Sequence, residues 1–189
     1  MKILPSLFTL CRTLRNAFLL VFLVAFAGSS QALLQQGAST PSEYEVKAAF
    51  LLNFIKFIEW PARPDENPTA PFPICIVGDD PFGPSLEHIV SGESQNDRRI
   101  VVERVDRVQP SCRVLFIGES VKEPAKMIAS AGSGVLTIGE NERFIRDGGM
   151  IGFVVVNRRI RFDINQRAAV RGALEISSRL LNVARSVVK

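Results

Sequence analysis

The middle of the chain carries three short apolar runs, each of which ends in a glycine followed by an acidic residue. They occupy positions 74–79, 114–119 and 135–140. Stretches with helical composition alternate with these runs, at 85–90, 123–130 and 141–146. Continuous apolar runs of this length, separated by helices, are typical of parallel strands that are buried on both faces. The pattern therefore predicts a parallel sheet built from strand–helix units.

The rest of the pattern predicts a weaker strand, a hairpin and a long terminal helix. The weaker strand is expected at 100–105. Residues 150–156 and 159–164 flank Asn157-Arg158, which suits a two-residue turn. From about 165 to 187 the apolar residues recur with a 3.6-residue period, as in one amphipathic helix. The fold class is therefore α/β, with a mostly parallel sheet flanked by helices on both faces and an antiparallel hairpin at one edge.

An unusually apolar helix is predicted before the first of these strands. The segment 40–43 (Thr-Pro-Ser-Glu) matches a capping box with proline at the first helical position, and the helix should extend to about Glu59. Its polar residues form only a narrow stripe, so the helix must be buried on several sides. The domain core is one possible cover, and a partner protein is another. We expect the C-terminal end, around Phe57 and Trp60, to be the partner face.

The N-terminus has the pattern of a secretory signal peptide. Lys2, Arg12 and Arg15 precede an apolar run at 17–27, and the first acidic residue is Glu43. The apolar run is too short to span a bilayer as a helix. Small residues at Ser30 and Ala32 place the cleavage site after Ala32. We therefore divide the chain into a signal peptide (1–32), a flexible start (33–39) and a single domain (40–189) that works outside the cytoplasm. The alternative is a membrane anchor that stays attached.

Removal of the signal changes the meaning of the charge. The full chain has 23 basic and 19 acidic residues, but the signal contains three of the bases and none of the acids. The mature chain is therefore close to neutral, and its charge gives no indication of nucleic-acid binding. Two short basic pairs remain, Arg98-Arg99 and Arg158-Arg159, and such pairs are most often solvated turns.

The residues give little sign of catalysis or of a metal or cofactor. His88 is the only histidine, and no nucleophile elbow, phosphate loop or zinc motif accompanies it. Four acids at the ends of the predicted strands, Asp79, Asp80, Glu119 and Glu140, fit solvated loops better than a phosphoacceptor site. We therefore expect no catalytic residue, no metal ligand and no cofactor. Cys75 and Cys112, which alone remain after the signal, indicate either one disulfide or two separate buried thiols.

Several motifs in order resemble the YfiR family. Near the start they are residues 43–54 (EYEVKAAFLLNF) and 59–61 (EWP). Further along they are 74–83 (ICIVGDDPFG), 112–117 (CRVLFI), 148–151 (GGMI) and 159–165 (RIRFDIN). The resemblance covers nearly all of the mature chain, and several motifs in the correct order are more specific than any one of them.

The resemblance implies a periplasmic repressor that acts through protein–protein binding. Proteins of this family hold a membrane-bound diguanylate cyclase inactive through its periplasmic domain. An OmpA-like outer-membrane lipoprotein can sequester the repressor, which releases cyclic di-GMP synthesis and biofilm formation. The resemblance also implies a structural disulfide between Cys75 and Cys112. A second cysteine pair found in some relatives near the position of Gly148-Gly149 is absent from this sequence. Association of two copies into a homodimer is an open alternative.

The resemblance also indicates which residues meet a partner. Together with the apolar helix end, the expected partner-binding residues are Phe57, Trp60, Arg63, Arg98, Arg99, Asp163 and Arg171. Two other functions stay open on the residues alone: a periplasmic sensor that binds a small molecule at the glycine-lined sheet edge, and a hydrolase of unknown type.

The signal-peptide interpretation makes the first prediction. Expressed with its full N-terminus in a Gram-negative host, the protein should be recovered from the periplasm beginning at Leu33. N-terminal sequencing or intact-mass measurement of the periplasmic fraction would check this. Recovery of an uncleaved chain with the membrane fraction would favour the retained anchor instead.

Overall fold

The structure is a computed structural model that describes residues 41–63, 66–140 and 142–189. The signal peptide, the segment 33–39 and Thr40 lie outside the described residues. Within the described part of the chain, no helix is both long enough and apolar enough to cross a membrane.

The helices are short except for the first one. They are α1 (Glu43–Lys56), α2 (Pro84–Val90), α3 (Pro124–Ser130), α4 (Arg143–Arg146), α5 (Gln166–Arg171) and α6 (Ser178–Val183). The strands are β1 (Ile58–Glu59), β2 (Phe72–Val77), β3 (Ser94–Gln95), β4 (Arg98–Arg104), β5 (Val114–Ile117), β6 (Leu136–Glu140), β7 (Ile151–Val156), β8 (Arg159–Asn165), β9 (Glu175–Ile176) and β10 (Ser186–Val188).

Eight strands form one sheet in the order β10-β8-β7-β6-β5-β2-β4-β3. The five strands from β7 to β4 in this order are mutually parallel, and β8 pairs with β7 as the antiparallel arm of a hairpin. The short β10 lies outside β8 and is parallel to it, and β3 is antiparallel to β4 at the other side. The predicted α/β fold is confirmed. The hairpin lies beside one edge of the sheet, with β10 added along part of it.

Two hydrophobic clusters lie on the two faces of the sheet, as expected for helices on both sides. On the α1 face, Phe54 of α1 packs against Phe153 and Phe162, with ring centroids 5.7 and 4.9 Å apart. On the other face, Phe144 of α4 packs with Leu115 and Ile117, and side chains of α3 cover the same cluster. The continuous apolar runs in the sequence are therefore explained by strands that are buried on both faces.

The capping box of α1 begins two residues later than predicted. Ser42 is the N-cap: its hydroxyl accepts a hydrogen bond from the Glu45 backbone N–H at 3.3 Å, and the Glu45 carboxylate accepts one from the Ser42 N–H at 2.6 Å. The predicted end at Glu59 was also wrong. The helix ends at Lys56 because Ile58 and Glu59 leave it to pair with β9.

The single terminal helix predicted at 165–187 was wrong. Helix α5 ends at Arg171, and Ala173 adopts a left-handed φ of 57°, so the chain turns away from the helix axis. Glu175 and Ile176 then pair with β1, and Ser177 caps a new helix, α6. The period of 3.6 residues was genuine within each short helix. Pairing of β9 and β10 with distant strands decided where the helices were interrupted.

The cysteines form the predicted disulfide. Cys75 on β2 is bonded to Cys112, which lies just before β5, with Cα atoms 5.8 Å apart. Both residues are fully buried. The bond therefore joins two neighbouring strands from inside the cluster on the α3 side of the sheet.

Loss of this bond should weaken the fold substantially. The bond closes a loop with a sequence separation of 37 residues, and the chain-entropy model then gives about 4 kcal/mol. We expect Cys75→Ala with Cys112→Ala to lower the free energy of unfolding by about this amount in urea titrations. A loss below about 1 kcal/mol would mean that the disulfide hardly constrains the unfolded chain.

Candidate protein-interaction surface

The C-terminal end of α1 is fixed to the last third of the chain. Ile58 and Glu59 pair with Ile176 and Glu175 in a two-stranded antiparallel sheet, and the Ser177 N–H donates to the Phe57 carbonyl at 3.0 Å. These contacts bring the end of α1 together with the start of α6. This region is the base of the predicted partner face.

Phe57 and Trp60 differ in how they present their rings. Phe57 is 36% exposed, although most large apolar residues of the domain are buried. Trp60 is half-buried: its ring makes an edge-to-face contact with Phe72 at 5.0 Å, and its indole N–H donates to the Ile55 carbonyl at 3.3 Å. Phe57 is therefore available to a partner, whereas Trp60 mainly packs the connector after β1 against β2.

Arg63 is engaged by backbone carbonyls. Its guanidinium donates to the carbonyl oxygens of four residues at 2.9–3.3 Å: Pro110, Cys112, Ser133 and Gly134. These carbonyls belong to the two loops that lead into β5 and β6. Burial lowers the pKa of Arg63 below its usual value, and the positive charge of Arg98 adds to this effect. Arg63 therefore holds the amino-terminal edge of the sheet together.

Arg98 lies in a neighbouring network around one carboxylate. It donates to Glu66 at 2.6 Å and to the carbonyls of Ala70 and Pro71 at 2.8 and 2.6 Å. Glu66 also forms an ion pair with the buried Arg113. Burial, with a smaller effect from Arg63, lowers the pKa of Arg113 to about 10. A groove of about 620 Å³ runs beside Arg63, Glu66 and Arg98.

Arg99 and Arg171 are exposed, and neither forms an ion pair with another described residue. Arg171 ends α5 next to Gly172, whose carbonyl accepts from the Gly134 N–H at 2.8 Å. Gly134 is also held by Arg63, so the end of α5 lies beside the loop that Arg63 binds. Arg99 lies on β4, which two strands separate from β6 in the sheet order. Phe57, Arg99 and Arg171 are thus the exposed members of the predicted set, whereas Arg63 is engaged by backbone carbonyls.

Asp163 lies apart from these residues. Its two carboxylate oxygens accept hydrogen bonds from Arg185 at 2.8 and 2.5 Å, and Asp163 is only 7% exposed. Arg185 also contacts Glu142 at 2.9 Å, and its pKa is raised by both carboxylates, chiefly by Asp163. Asp163 is therefore occupied inside the domain, and its role in partner binding stays a prediction.

The sequence reasoning missed a buried ion pair between α1 and β6. Lys47 is bonded to Glu140, and these residues are 4% and 7% exposed. Glu43 contacts the same ammonium group at 2.5 Å, and the Tyr44 ring lies 4.4 Å from it. Burial is the largest single effect on the pKa of Lys47 and lowers it. Hydrogen bonds to Glu140 and Glu43 together outweigh burial, so the pKa is raised above its usual value. The expectation that Glu140 is a solvated loop acid was wrong, because Glu140 is the last residue of β6 and faces α1.

A cavity of about 570 Å³ lies at the carboxyl edge of the sheet, next to Glu140. Ile117 and Phe144 supply apolar walls, and Lys122 and Arg143 lie on its lining. Among the residues that the structure describes, no three His, Cys, Asp or Glu side chains are grouped so that they could hold a metal ion.

Comparison with known proteins identifies the family. The YfiR/HmsC-like family model matches residues 44–185, and the chain belongs to that family. This membership is consistent with a periplasmic regulator of a diguanylate cyclase, and with a regulatory rather than a catalytic role. None of the curated proteins matches this chain.

A solved structure shares the fold. It is a conserved domain protein from Vibrio cholerae O1 biovar El Tor, with 10% sequence identity and a TM-score of 0.50. The alignment covers 77% of this chain and 60% of that chain. At this level of identity the likeness concerns the fold alone.

Substitution of two arginines separates a structural role from a surface role. We expect Arg63→Ala to lower the free energy of unfolding by about 2 kcal/mol or more, because it removes a charged donor from several carbonyls. Arg171→Ala should change it by less than about 0.5 kcal/mol, since Arg171 is exposed. Urea denaturation of both variants would check this, and equal stability of the two would contradict the role assigned to Arg63.

Proposed function

We propose that this protein is a periplasmic negative regulator that binds the periplasmic domain of an inner-membrane diguanylate cyclase and represses cyclic di-GMP synthesis. The observation that carries the proposal is the match of residues 44–185 to the YfiR/HmsC-like family, which spans nearly the whole described domain. The N-terminal signal pattern supports the compartment. The protein then acts by binding, without a catalytic step of its own.

The end of α1 supports a particular binding surface. Phe57 is an exposed aromatic ring on a rigid helix end, which suits the apolar anchor of an interface. Arg171 supplies a charge at the rim, where it steers association and selects the partner. Arg63, Arg98 and Trp60 contribute indirectly, because they fix the loops and the connector beneath this surface.

Relief of repression would follow from competition for the same surface. An OmpA-like outer-membrane lipoprotein that covers Phe57 would remove the repressor from the cyclase, because Phe57 can be buried against only one partner at a time. Self-association into a homodimer through this end would have the same effect. Both steps belong to the proposal and require no change of fold.

One observation favours a second candidate, a sensor of small molecules. The carboxyl-edge cavity lies at the ends of β5 and β6, and α/β sheets commonly bind ligands outside the carboxyl ends of their strands. Its apolar walls and charged lining suit a small polar organic molecule. In this candidate the ligand, rather than a lipoprotein, would set the state of the protein.

The proposed function is tested by measuring cellular cyclic di-GMP after deletion of the gene. We expect a rise that is reversed by the exported protein and not by the same protein retained in the cytoplasm. The exported Phe57→Ala/Arg171→Ala variant should fail to restore repression, because it lacks the anchor and the rim charge. Val155→Ala/Arg107→Ala is the matched control, since it changes one exposed apolar residue and one exposed arginine elsewhere.

The outcomes separate the candidates. Full repression by the Phe57→Ala/Arg171→Ala variant would mean that the surface is wrongly assigned. Unchanged cyclic di-GMP on deletion, in cells that express a membrane cyclase, would contradict repression. A small molecule that raises the melting temperature of the purified protein would then support the sensor.

A further inference from the structure

The β7–β8 hairpin carries three arginines within four residues, Arg158, Arg159 and Arg161, and all three are exposed. The segment 148–162 contains no acidic residue. None of the three forms an ion pair with another described residue, whereas Arg104 and Arg185 are each bonded to carboxylates. The hairpin therefore holds three positive charges that the rest of the described domain does not neutralise.

The register of the hairpin places two of these arginines on one face. Phe153 and Phe162 are paired and pack against α1, which fixes their side of the sheet. Val154 is paired with Arg161, and Val156 with Arg159, so these residues must lie on the opposite side. The nearest acid along β8 on that side is Asp163, and both of its oxygens are already bonded to Arg185.

The outer edge of β8 is open beside the same arginines. Strand β10 pairs only with residues from Asp163 to Asn165, and the Phe162 carbonyl accepts from the Arg185 N–H. Because backbone groups alternate in direction along a strand, the Phe162 carbonyl and the groups of Ile160 point to this outer side. The described chain supplies no strand to pair with Ile160. A short stretch of edge is thus available for another strand.

The turn adds a conformational observation. Asn157 and Arg158 have φ values of 50° and 59°, so both central residues of the turn are left-handed. Asparagine tolerates this region, and glycine would suit the second position far better than arginine. The hairpin therefore keeps a charged side chain at a position where it costs stability. Residues held in such conformations often serve function.

We propose that the open edge of β8 binds an extended acidic segment of a partner protein, which adds one strand to the sheet. Its backbone would pair with Ile160, and carboxylates at alternate positions would meet Arg159 and Arg161. Arg158 would contact the end of the segment. This mode of recognition combines main-chain hydrogen bonds with side-chain pairs spaced two residues apart. The surface is distinct from the Phe57 end, and the proposal does not depend on the identity of the cyclase.

Two other interpretations are less well supported. An anionic membrane surface is normally recognised by a larger basic cluster with aromatic or long apolar residues, and this hairpin tip has only valines. Charged residues on an edge strand can also serve only to prevent aggregation. In that case the arginines would have no complementary ligand, and a left-handed arginine in the turn would bring no benefit.

The test uses a fluorescent peptide of alternating glutamate and threonine, and the purified full mature chain. We expect saturable binding in fluorescence anisotropy at up to about 1 mM protein that weakens as salt is added. The corresponding lysine–threonine peptide should not bind. A glutamate–threonine peptide with N-methyl groups at alternate positions should also fail, because it cannot pair as a strand.

Variants connect this binding to the arginines. Arg159→Ser/Arg161→Ser should weaken it about tenfold, whereas Arg107→Ser should leave it unchanged. Arg158→Gly should weaken it about threefold while raising the melting temperature by about 3 °C, since glycine relieves the left-handed turn. This variant keeps the test decisive if the double variant fails to fold.

Three results would overturn the proposal. The first is no binding of the glutamate–threonine peptide, or equal binding by the hairpin variants. The second is that vesicles containing phosphatidylglycerol bind the hairpin arginines while the peptide does not. The third is that the double variant aggregates but binds the peptide as before, which would assign the arginines to edge protection.

Discussion

The fold depends on the burial of one helix that is apolar on nearly all sides. The sheet alone covers only one side of α1, where Phe50 and Phe54 meet Phe153 and Phe162. Helix α2 and the loop before it cover a second side of α1, where the Tyr44 ring contacts Phe82. The C-terminal end is covered by β9 and the start of α6. The broken terminal region is therefore a consequence of α1: a single straight helix there would leave Ile58 without a strand to pair with.

Polar contacts hold α1, and the connector that follows it, at the two edges of the sheet. At the carboxyl edge, Lys47 is buried against Glu140, and a buried pair of this kind is costly to break because it leaves one charge unpaired. At the amino edge, Arg63 and Arg98 bind the carbonyls of the loops and the connector. Apolar packing covers most of α1, and these contacts tie the helix and its connector to the rest of the domain.

The parallel strands and the hairpin could be predicted because their signals are local: continuous apolar runs, and a two-residue turn at Asn157-Arg158. The family was predictable from the order of its motifs. The terminal helix was mispredicted because β9 and β10 are specified by distant partners. The site was predictable only in outline, since a surface arginine such as Arg171 and a carbonyl-binding arginine such as Arg63 look alike in a sequence. Likewise, Glu140 resembles an exposed loop acid in the sequence, because its partner Lys47 lies 93 positions away in the chain.

The position of α1 in the chain order has a consequence for biogenesis. The helix is complete about a hundred residues before β7 and β8, which provide its main cover. A ribosome, or a translocation channel that admits the chain from its N-terminus, therefore releases this helix well before the strands that cover it. Folding of α1 must wait for these distant contacts, which slows it and prolongs exposure. A holding chaperone that recognises 43–58 would bind this protein during that interval and lose its site once the hairpin forms.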